Sequence, residues 1–354
     1  MKLFQARPSQ GFDTLPLAPL TPGDLIDLAV RIYRREPLRL IKIVLLPGLI
    51  SYAGVVTASI GFSNFSLTRG DERVFLTVTL ITLGSAIFLG GKFLFYALIG
   101  GVSRSIYNRI SAQSSEPESS NWSEGPLPRT GEAYRAVKNH LAGLVAAIAL
   151  LTIAGLFAAT VIYFVAALIL VSYVALHMAL LSSLPLAVQI ISGGLFGLAL
   201  LSGLIWCVLI FYTRLVGFGP ILVVEERGVS GSIKRSIKLF GGRVRAVGSL
   251  LFFWKITVWS LRVLLVVPVV WYGYLEGFDI NPFSPEGPIW YLIAVQTLSQ
   301  LSEILVAPVA LIGFSLLYLD ARVRMEGFDV EVLAHRILGS PANVTLQHRE
   351  NEGL

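Results

Sequence analysis

Long apolar runs alternate with short charged segments along this chain. Six of the runs are long enough to cross a bilayer, since a membrane-spanning helix needs about 20 residues. They cover residues 38–62, 74–101, 141–176, 186–211, 247–270 and 289–319. The third run is predicted to be one long tilted helix, because two spans and their turn would need about 40 residues or more. The pattern therefore predicts an all-α integral membrane protein with six transmembrane helices.

Short amphipathic segments stand before the first, third and fifth apolar runs. In the segment at residues 229–240, apolar residues fall on one helical face and basic residues on the other. The apolar ones are Ile233, Ile237 and Phe240, and the basic ones are Lys234, Arg235 and Lys238. The segments align without gaps from Gly23, Gly131 and Gly231. This spacing predicts three repeats, each made of one amphipathic surface helix and two spans.

The first amphipathic segment also carries signals that start and stop a helix. Thr21 is placed to cap the helix N-terminus, Pro22 occupies the first helical position and Asp24 the third. Pro37 lacks a backbone N–H and is predicted to end this helix. The first span should begin directly after it.

Polar segments divide the chain into four parts. Residues 1–20 hold three prolines and few charges, which predicts a mobile N-terminal arm. Residues 21–338 form the six-span membrane domain. Within it, residues 111–130 are rich in Ser, Glu and Pro and should form a disordered cytoplasmic loop. Residues 339–354 are predicted to be a polar C-terminal tail.

Composition and the placement of basic residues predict the location and the orientation. With 55% hydrophobic and only 14% charged residues, the chain is unlike a soluble protein. Of 28 lysines and arginines, only Arg69 and Arg73 fall in predicted outer loops. Basic residues concentrate on the cytoplasmic side of membrane proteins. We therefore expect both termini to be cytoplasmic, in a bacterial inner membrane.

The net charge of +6 indicates a preference for anionic partners. The basic residues flank apolar spans and do not form a soluble patch with interleaved aromatics, which favours anionic lipid headgroups over nucleic acid. The predicted headgroup contacts are Arg31, Arg34, Arg35, Arg135, Lys138, Lys234, Arg235 and Lys238.

Several polar residues lie inside the predicted spans. Gln296, Gln300 and Glu303 have helical spacing on the sixth span, and Lys255 and Arg262 lie in the fifth. Intramembrane charges need partners, and their depths place Glu303 nearer to Lys255 than to Arg262. The five residues form either a polar path or headgroup site between helices, or a packing ion pair. The second span has one charge of its own, Lys92.

Catalytic and metal-binding motifs are lacking in the sequence. The histidines are His140, His177, His335 and His348, and they lie in separate segments. A single cysteine, Cys207, allows no disulfide within one chain. We predict no metal site and no cofactor. Asp320, Glu326 and Asp329 stand among Arg322 and Arg324, which predicts a solvated, salt-bridged helix end.

Three stretches resemble the membrane domain found in some bacterial glycerophosphodiester phosphodiesterases. They are LTPGDLIDLAVRIYRRE, VVEERGVSGSIKRSIKLFGGRVRAV and LLYLDARVRMEGFDVE. The resemblance implies a multi-span helical domain that some members attach to a soluble barrel hydrolase with a His-Arg-Gly motif. Here Ile337 follows His335-Arg336 and Glu350 follows His348-Arg349, and no soluble segment is long enough for a barrel. The hydrolase activity is therefore not expected.

These patterns leave three hypotheses for function. The first is a membrane scaffold or lipid-associated accessory protein without a catalytic domain of its own, with membrane lipids and a possible membrane-protein partner. The second is a transporter or flippase-like protein, which the repeats and the intramembrane charges favour. The third is a membrane-embedded enzyme acting on lipid headgroups.

Overall fold

The computed structural model describes residues 20–65, 71–115, 130–181, 183, 185–278 and 288–327. About 92% of these residues are helical and none of them forms a strand. Six of the helices are long and apolar enough to cross a membrane, which confirms the predicted fold class. The predicted arm at 1–20, apart from Leu20, and the predicted tail lie outside the described residues.

Ten α-helices follow one another in the described part of the chain. They are α1 (Pro22–Arg35), α2 (Pro37–Phe65), α3 (Asp71–Ser115), α4 (Thr130–Asn139), α5 (Leu141–Leu176), α6 (Leu186–Leu215), α7 (Phe218–Val224), α8 (Val229–Phe240), α9 (Val244–Leu275) and α10 (Ile289–Glu326). Short α1, α4 and α8 precede the three pairs of span helices, in the predicted order. The internal repeat itself stays a prediction.

Helix α10 is the centre of the bundle. In its most apolar window 89% of the residues are buried, against none in the corresponding windows of α5 and α6. It packs against α2, α3 and α9, and α1 covers its C-terminal end. A span that is apolar on every side can be buried among other helices, and this one is.

Small residues allow α2 and α3 to pack closely. A Cβ atom at Gly54 would overlap the backbone of Phe88, and one at Gly84 would overlap that of Ala58. Gly84 and Gly91 therefore lie where α2 and α3 approach closely, whereas a Cβ at Gly90 of the same helix would meet no atom within 4 Å. Close backbone approach at small residues is the usual basis of helix association in membranes.

Hydrogen bonds cap the N-terminus of α1 and join α4 to α2. The Thr21 hydroxyl accepts a hydrogen bond from the Asp24 backbone N–H at 3.2 Å, and Asp24 accepts one from the Thr21 N–H at 2.9 Å, which confirms the predicted cap. On α4, the Tyr134 hydroxyl donates to the carbonyl of Ile43 at 2.7 Å. Burial raises the pKa of Tyr134 to about 12, so the hydroxyl stays a donor.

Helix α8 buries only part of the predicted apolar face: Phe240 is buried and Ile233 half-buried. Its buried residues are Ser232, Ser236, Leu239 and Phe240, whereas Ile237 is 42% exposed. The Ser236 hydroxyl donates to the carbonyl of Arg214 at 2.7 Å, so the serine can be buried without an unpaired donor. The inner side of α8 therefore contacts α6 and α7 of the same protein and is not a lipid-facing apolar stripe.

Two predicted boundaries are wrong, and one helix was not predicted. Helix α3 continues to Ser115, so the first five residues of the predicted loop 111–130 are helical. Helix α10 continues through Asp320 to Glu326, past the predicted end of the sixth span at residue 319, and Gly327 with φ 65° caps it. Helix α7 was not predicted. Its Gly219 carbonyl lies so close to Gly100 that a Cβ there would come within 2.7 Å.

Helices α5 and α6 lie at the periphery of the bundle. Residues 141–176 form one helix, as predicted, followed by a π-helical turn over His177–Leu181. The GxxxG spacing of Gly193 and Gly197 does not mark a close helix contact: the nearest atom to a Cβ at Gly193 would be 3.9 Å away, and Gly197 has none within 4 Å. Both helices present leucine, isoleucine and phenylalanine side chains to the surroundings.

Candidate functional site

Charged side chains from three span helices meet in one place. Lys92 of α3, Lys255 and Arg262 of α9, and Glu303 of α10 line a cavity of about 510 Å³. An adjoining cavity of about 200 Å³ is lined by Lys92, Lys255 and Glu303 as well. We call the two cavities together the charged cleft. Because charged groups are rare inside membranes and mark functional sites there, the cleft is the candidate site.

The ion pair in the charged cleft differs from the predicted one. Glu303 pairs with Lys92, and their side chains are 16% and 25% exposed. The predicted partner was Lys255, which faces the same cleft but forms no ion pair within the described residues. Lys92 was recognised as an intramembrane charge, yet depth along the helix did not show that α3 and α10 are neighbours.

The other two bases of the cleft lack a carboxylate partner among the described residues. The Lys255 ammonium lies 4.3 Å from the centre of the Trp254 ring, a cation–π contact. Arg262 is half-buried, and its Nε is enclosed without a hydrogen-bond partner in the described structure. Buried polar atoms are nearly always hydrogen-bonded in folded proteins, so the guanidinium of Arg262 is incompletely satisfied by the described residues.

The two predicted glutamines contact α2. Gln296 donates to the Ser59 hydroxyl at 3.4 Å, and Gln300 donates to the Gly48 carbonyl at 3.3 Å. Gln300 also lines the smaller cavity, while Gln296 lines neither part of the cleft. The five predicted site residues are thus divided: Lys255, Arg262, Gln300 and Glu303 share the cleft, and Gln296 joins helices.

Aromatic rings gather at one end of the bundle, and the general preference of such rings for the membrane interface allows the depth of the cleft to be inferred. At the end of the bundle far from α1, the Tyr272 and Trp290 rings lie 6.2 Å apart beside Trp271. Tryptophan and tyrosine favour the membrane–water interface. Arg262 lies nine residues before Trp271, or about 14 Å along α9, and Lys255 sixteen, or about 24 Å. In a core about 30 Å thick, Arg262 is near the middle.

An apolar cavity lies beside the charged cleft. It has a volume of about 340 Å³ and lies among α3, α5, α6 and α7. Lys92 and Tyr96 line both this cavity and the charged cleft. The remaining lining is almost entirely apolar and includes Phe93, Leu144 and Leu215. A charged space and an apolar space therefore meet at Lys92.

The predicted headgroup-contact residues are exposed, with one exception. The exposed ones are Arg31, Arg34, Arg35, Arg135, Lys138, Lys234 and Lys238. Arg235 is instead ion-paired with Glu225 of the α7–α8 connection, at 2.8 Å, and with Glu326 of α10. Its guanidinium joins α8 to the end of α10, so it does not belong to the exposed basic surface.

A buried acid holds the end of α10 in place. Asp320 pairs with Arg243, which precedes α9, and with Arg324 at 3.2 Å. It also accepts a hydrogen bond from the backbone N–H of Leu20 at 2.8 Å. The prediction of a salt-bridged helix end is right for Asp320, but the side chain is only 1% exposed, so it is not solvated. Asp329 lies outside the described residues.

Arg104 joins α3 to the segment after α7. It donates to the Val223 carbonyl at 2.8 Å and to Glu226 at 2.6 Å. The hydrogen bond from Arg104 lowers the pKa of Glu226, which therefore stays ionised at neutral pH. Glu226 has a positive φ of 52°, a conformation that non-glycine residues rarely adopt. The ion pair holds this strained turn and was not foreseen from sequence.

The chain has no match among known proteins in three comparisons. No family model, no curated protein and no solved structure matches it. Among the described residues, no group of three or more His, Cys, Asp or Glu side chains could hold a metal ion. The candidate site thus rests on the charged cleft itself.

Proposed function

We propose that the protein is a lipid-associated membrane module that binds an anionic lipid headgroup in the charged cleft. The observation that carries this proposal is the pair of bases, Lys255 and Arg262, placed in the apolar region without carboxylate partners in the described structure. A base near the centre of a span costs about 2.5–3.5 kcal/mol on the insertion scale. A bound phosphate would offset that cost with charge-assisted hydrogen bonds.

The surroundings of the cleft favour a lipid over a soluble anion. Phe252 and Trp259 line it, and both side chains are largely exposed on the membrane-facing side of α9. A headgroup in the cleft would leave its acyl chains against such apolar side chains. The exposed bases of α1, α4 and α8 would gather anionic lipid at the same membrane face, at about 1 kcal/mol per base.

The proposal also covers the membrane in which the protein lies and its relationship to a known membrane domain. We place the protein in a bacterial inner membrane with both termini in the cytoplasm, on the strength of the basic residues around α1, α4 and α8. A relationship to the membrane domain of glycerophosphodiester phosphodiesterases would agree with a module that lacks the hydrolase barrel.

A second candidate function is lipid or anion transport. It is favoured by the positions of Lys255 and Arg262, which lie about 10 Å apart along α9 and would let an anion pass from one base to the other across the membrane. Flux of labelled phospholipid in proteoliposomes would distinguish transport from binding alone.

Lipids that co-purify with variants test the binding proposal. We expect Lys255→Gln with Arg262→Gln to lose most of the anionic lipid that wild type retains in mild detergent, because two charge-assisted contacts are removed. The matched control is Lys42→Gln with Arg245→Gln, which removes one exposed lysine and one exposed arginine outside both the cleft and the predicted headgroup contacts and should keep most of it. If the control loses as much as the cleft variant, or if neither loses any, the cleft is not the binding site.

A further inference from the structure

The geometry points to a lipid phosphomonoester as the ligand of the charged cleft, with an acyl chain in the adjoining apolar cavity. This inference rests on the proposed function and names the class of lipid. A phosphomonoester ends in a phosphate attached at one oxygen only, whereas common anionic phospholipids carry a phosphodiester.

Charge is the first reason. The charged cleft holds three bases and one acid, Lys92, Lys255, Arg262 and Glu303, so it has two positive charges in excess. A phosphomonoester carries about −1.5 to −2 charges at pH 7. A phosphodiester carries one negative charge and would leave one base uncompensated. Uncompensated charge is costly inside a membrane, so the doubly charged headgroup fits the cleft better.

The kinds of donor are the second reason. Arg262 presents a planar guanidinium that can donate two parallel hydrogen bonds to phosphate oxygens. Lys92 and Lys255 each add an ammonium on the same cavity. A terminal phosphate offers three acceptor oxygens, enough for all three bases. A diester has only two unsubstituted oxygens, and its second ester group would have to fit among these bases.

The neighbouring apolar cavity is the third reason and favours a lipid as the ligand. Lys92 and Tyr96 line both cavities, so a headgroup on Lys92 has an apolar space directly beside it. That space is bounded by side chains such as Leu89, Phe93 and Leu215 and offers few polar atoms. An acyl chain would fill it, whereas a soluble phosphate would leave it empty.

Glu303 sets the charge of the cleft. It neutralises Lys92 through their ion pair and reduces the excess charge from three to two. Without this acid, the cleft would match more highly charged anions. Glu303 therefore acts as a specificity-determining residue, and Glu303→Gln should weaken the discrimination against lipids that carry a pyrophosphate.

Binding of a lipid panel to the full-length protein in nanodiscs tests this inference. Phosphatidate, phosphatidylglycerol and phosphatidylcholine with identical acyl chains supply a monoester, a diester and a zwitterion. Glycerol 3-phosphate supplies the monoester without a chain. We expect phosphatidate to bind at least about tenfold more tightly than phosphatidylglycerol, the scale of one charge-assisted hydrogen bond. Arg262→Gln should reduce phosphatidate affinity by about tenfold or more.

The outcomes separate this inference from the proposed function. Equal affinity for phosphatidate and phosphatidylglycerol, both weakened by Arg262→Gln, would overturn the monoester preference and keep anionic-lipid binding in the cleft. Affinities for anionic lipids that do not change in Arg262→Gln or in Lys255→Gln would overturn both. Glycerol 3-phosphate binding as tightly as phosphatidate would overturn the role of the apolar cavity and indicate a soluble phosphate ligand.

Discussion

Replacing Asp320 by asparagine should lower the free energy of unfolding by about 3–5 kcal/mol, the usual cost of removing one partner from a buried ion pair. The carboxylate is almost fully enclosed and holds Arg243, Arg324 and the N–H of Leu20 together. An asparagine keeps the shape but leaves two guanidinium groups without their counter-charge. The midpoint of thermal unfolding in detergent measures the effect.

The same chemical change at Asp27 is the control for Asp320. Asp27 is exposed on α1, so Asp27→Asn should shift the midpoint little. An equal, small shift in both variants would show that Asp320 does not organise the junction between α1, α9 and α10.

Glu303→Gln should be the most damaging single change in the charged cleft. It would leave the three bases of the cleft without an acid. The free energy of unfolding should fall by about 2–3 kcal/mol, comparable to the cost of placing one base at the centre of a span. Lys92→Met should cost less, because Glu303 would still face Lys255 and Arg262 in the same cavity. The yield of monodisperse protein and its thermal midpoint are the measurements.

Double replacements identify the partner of Glu303. Glu303→Gln with Lys92→Met should recover more of the loss than Glu303→Gln with Lys255→Met, since Lys92 is the residue in the ion pair. The opposite order would mean that Lys255, the partner expected from depth alone, carries the stabilising interaction.

The sequence was informative about each helix separately. Apolar length predicted six spans, and the Thr21-Pro22-Gly23-Asp24 signal predicted the start of α1, because both depend on residues that are close along the chain. The need of Glu303 for a basic partner was also predictable, since the cost of an unpaired charge depends on depth and not on neighbours.

The relations between helices were not predictable in the same way. Lys255 and Arg262 were the candidate partners for Glu303, and only the packing of α3 against α10 shows that the partner is Lys92. The buried face of α8 was only partly predicted, because its buried serines satisfy their hydroxyls on backbone carbonyls, as Ser236 does on Arg214. Polarity alone therefore does not show which side of such a helix faces inward.

The unpaired bases of α9 connect stability to function. Lys255 and Arg262 make the fifth span less apolar, and neither forms an ion pair with a described carboxylate, because Glu303 of the same cavity pairs with Lys92. Functional sites often keep such a cost where a ligand offsets it. A bound anionic lipid would then also stabilise the protein, because a ligand that binds only the folded state raises the free energy of unfolding.

Site-specific photocrosslinking of lipids tests most directly whether the charged cleft holds an anionic headgroup. A photoreactive phenylalanine derivative would replace Trp259, which lines the cleft and is 65% exposed, or Phe157, which lies on the outer face of α5 and is 71% exposed. Mass spectrometry would identify the attached lipids. We expect the fraction of anionic lipid attached at position 259 to exceed the fraction of anionic lipid in the bilayer. In the variant with Lys255→Gln and Arg262→Gln, the attached fraction should fall to the bilayer value. Position 157 should report the bilayer composition in both proteins. The same lipid composition at both positions would contradict the proposed binding site.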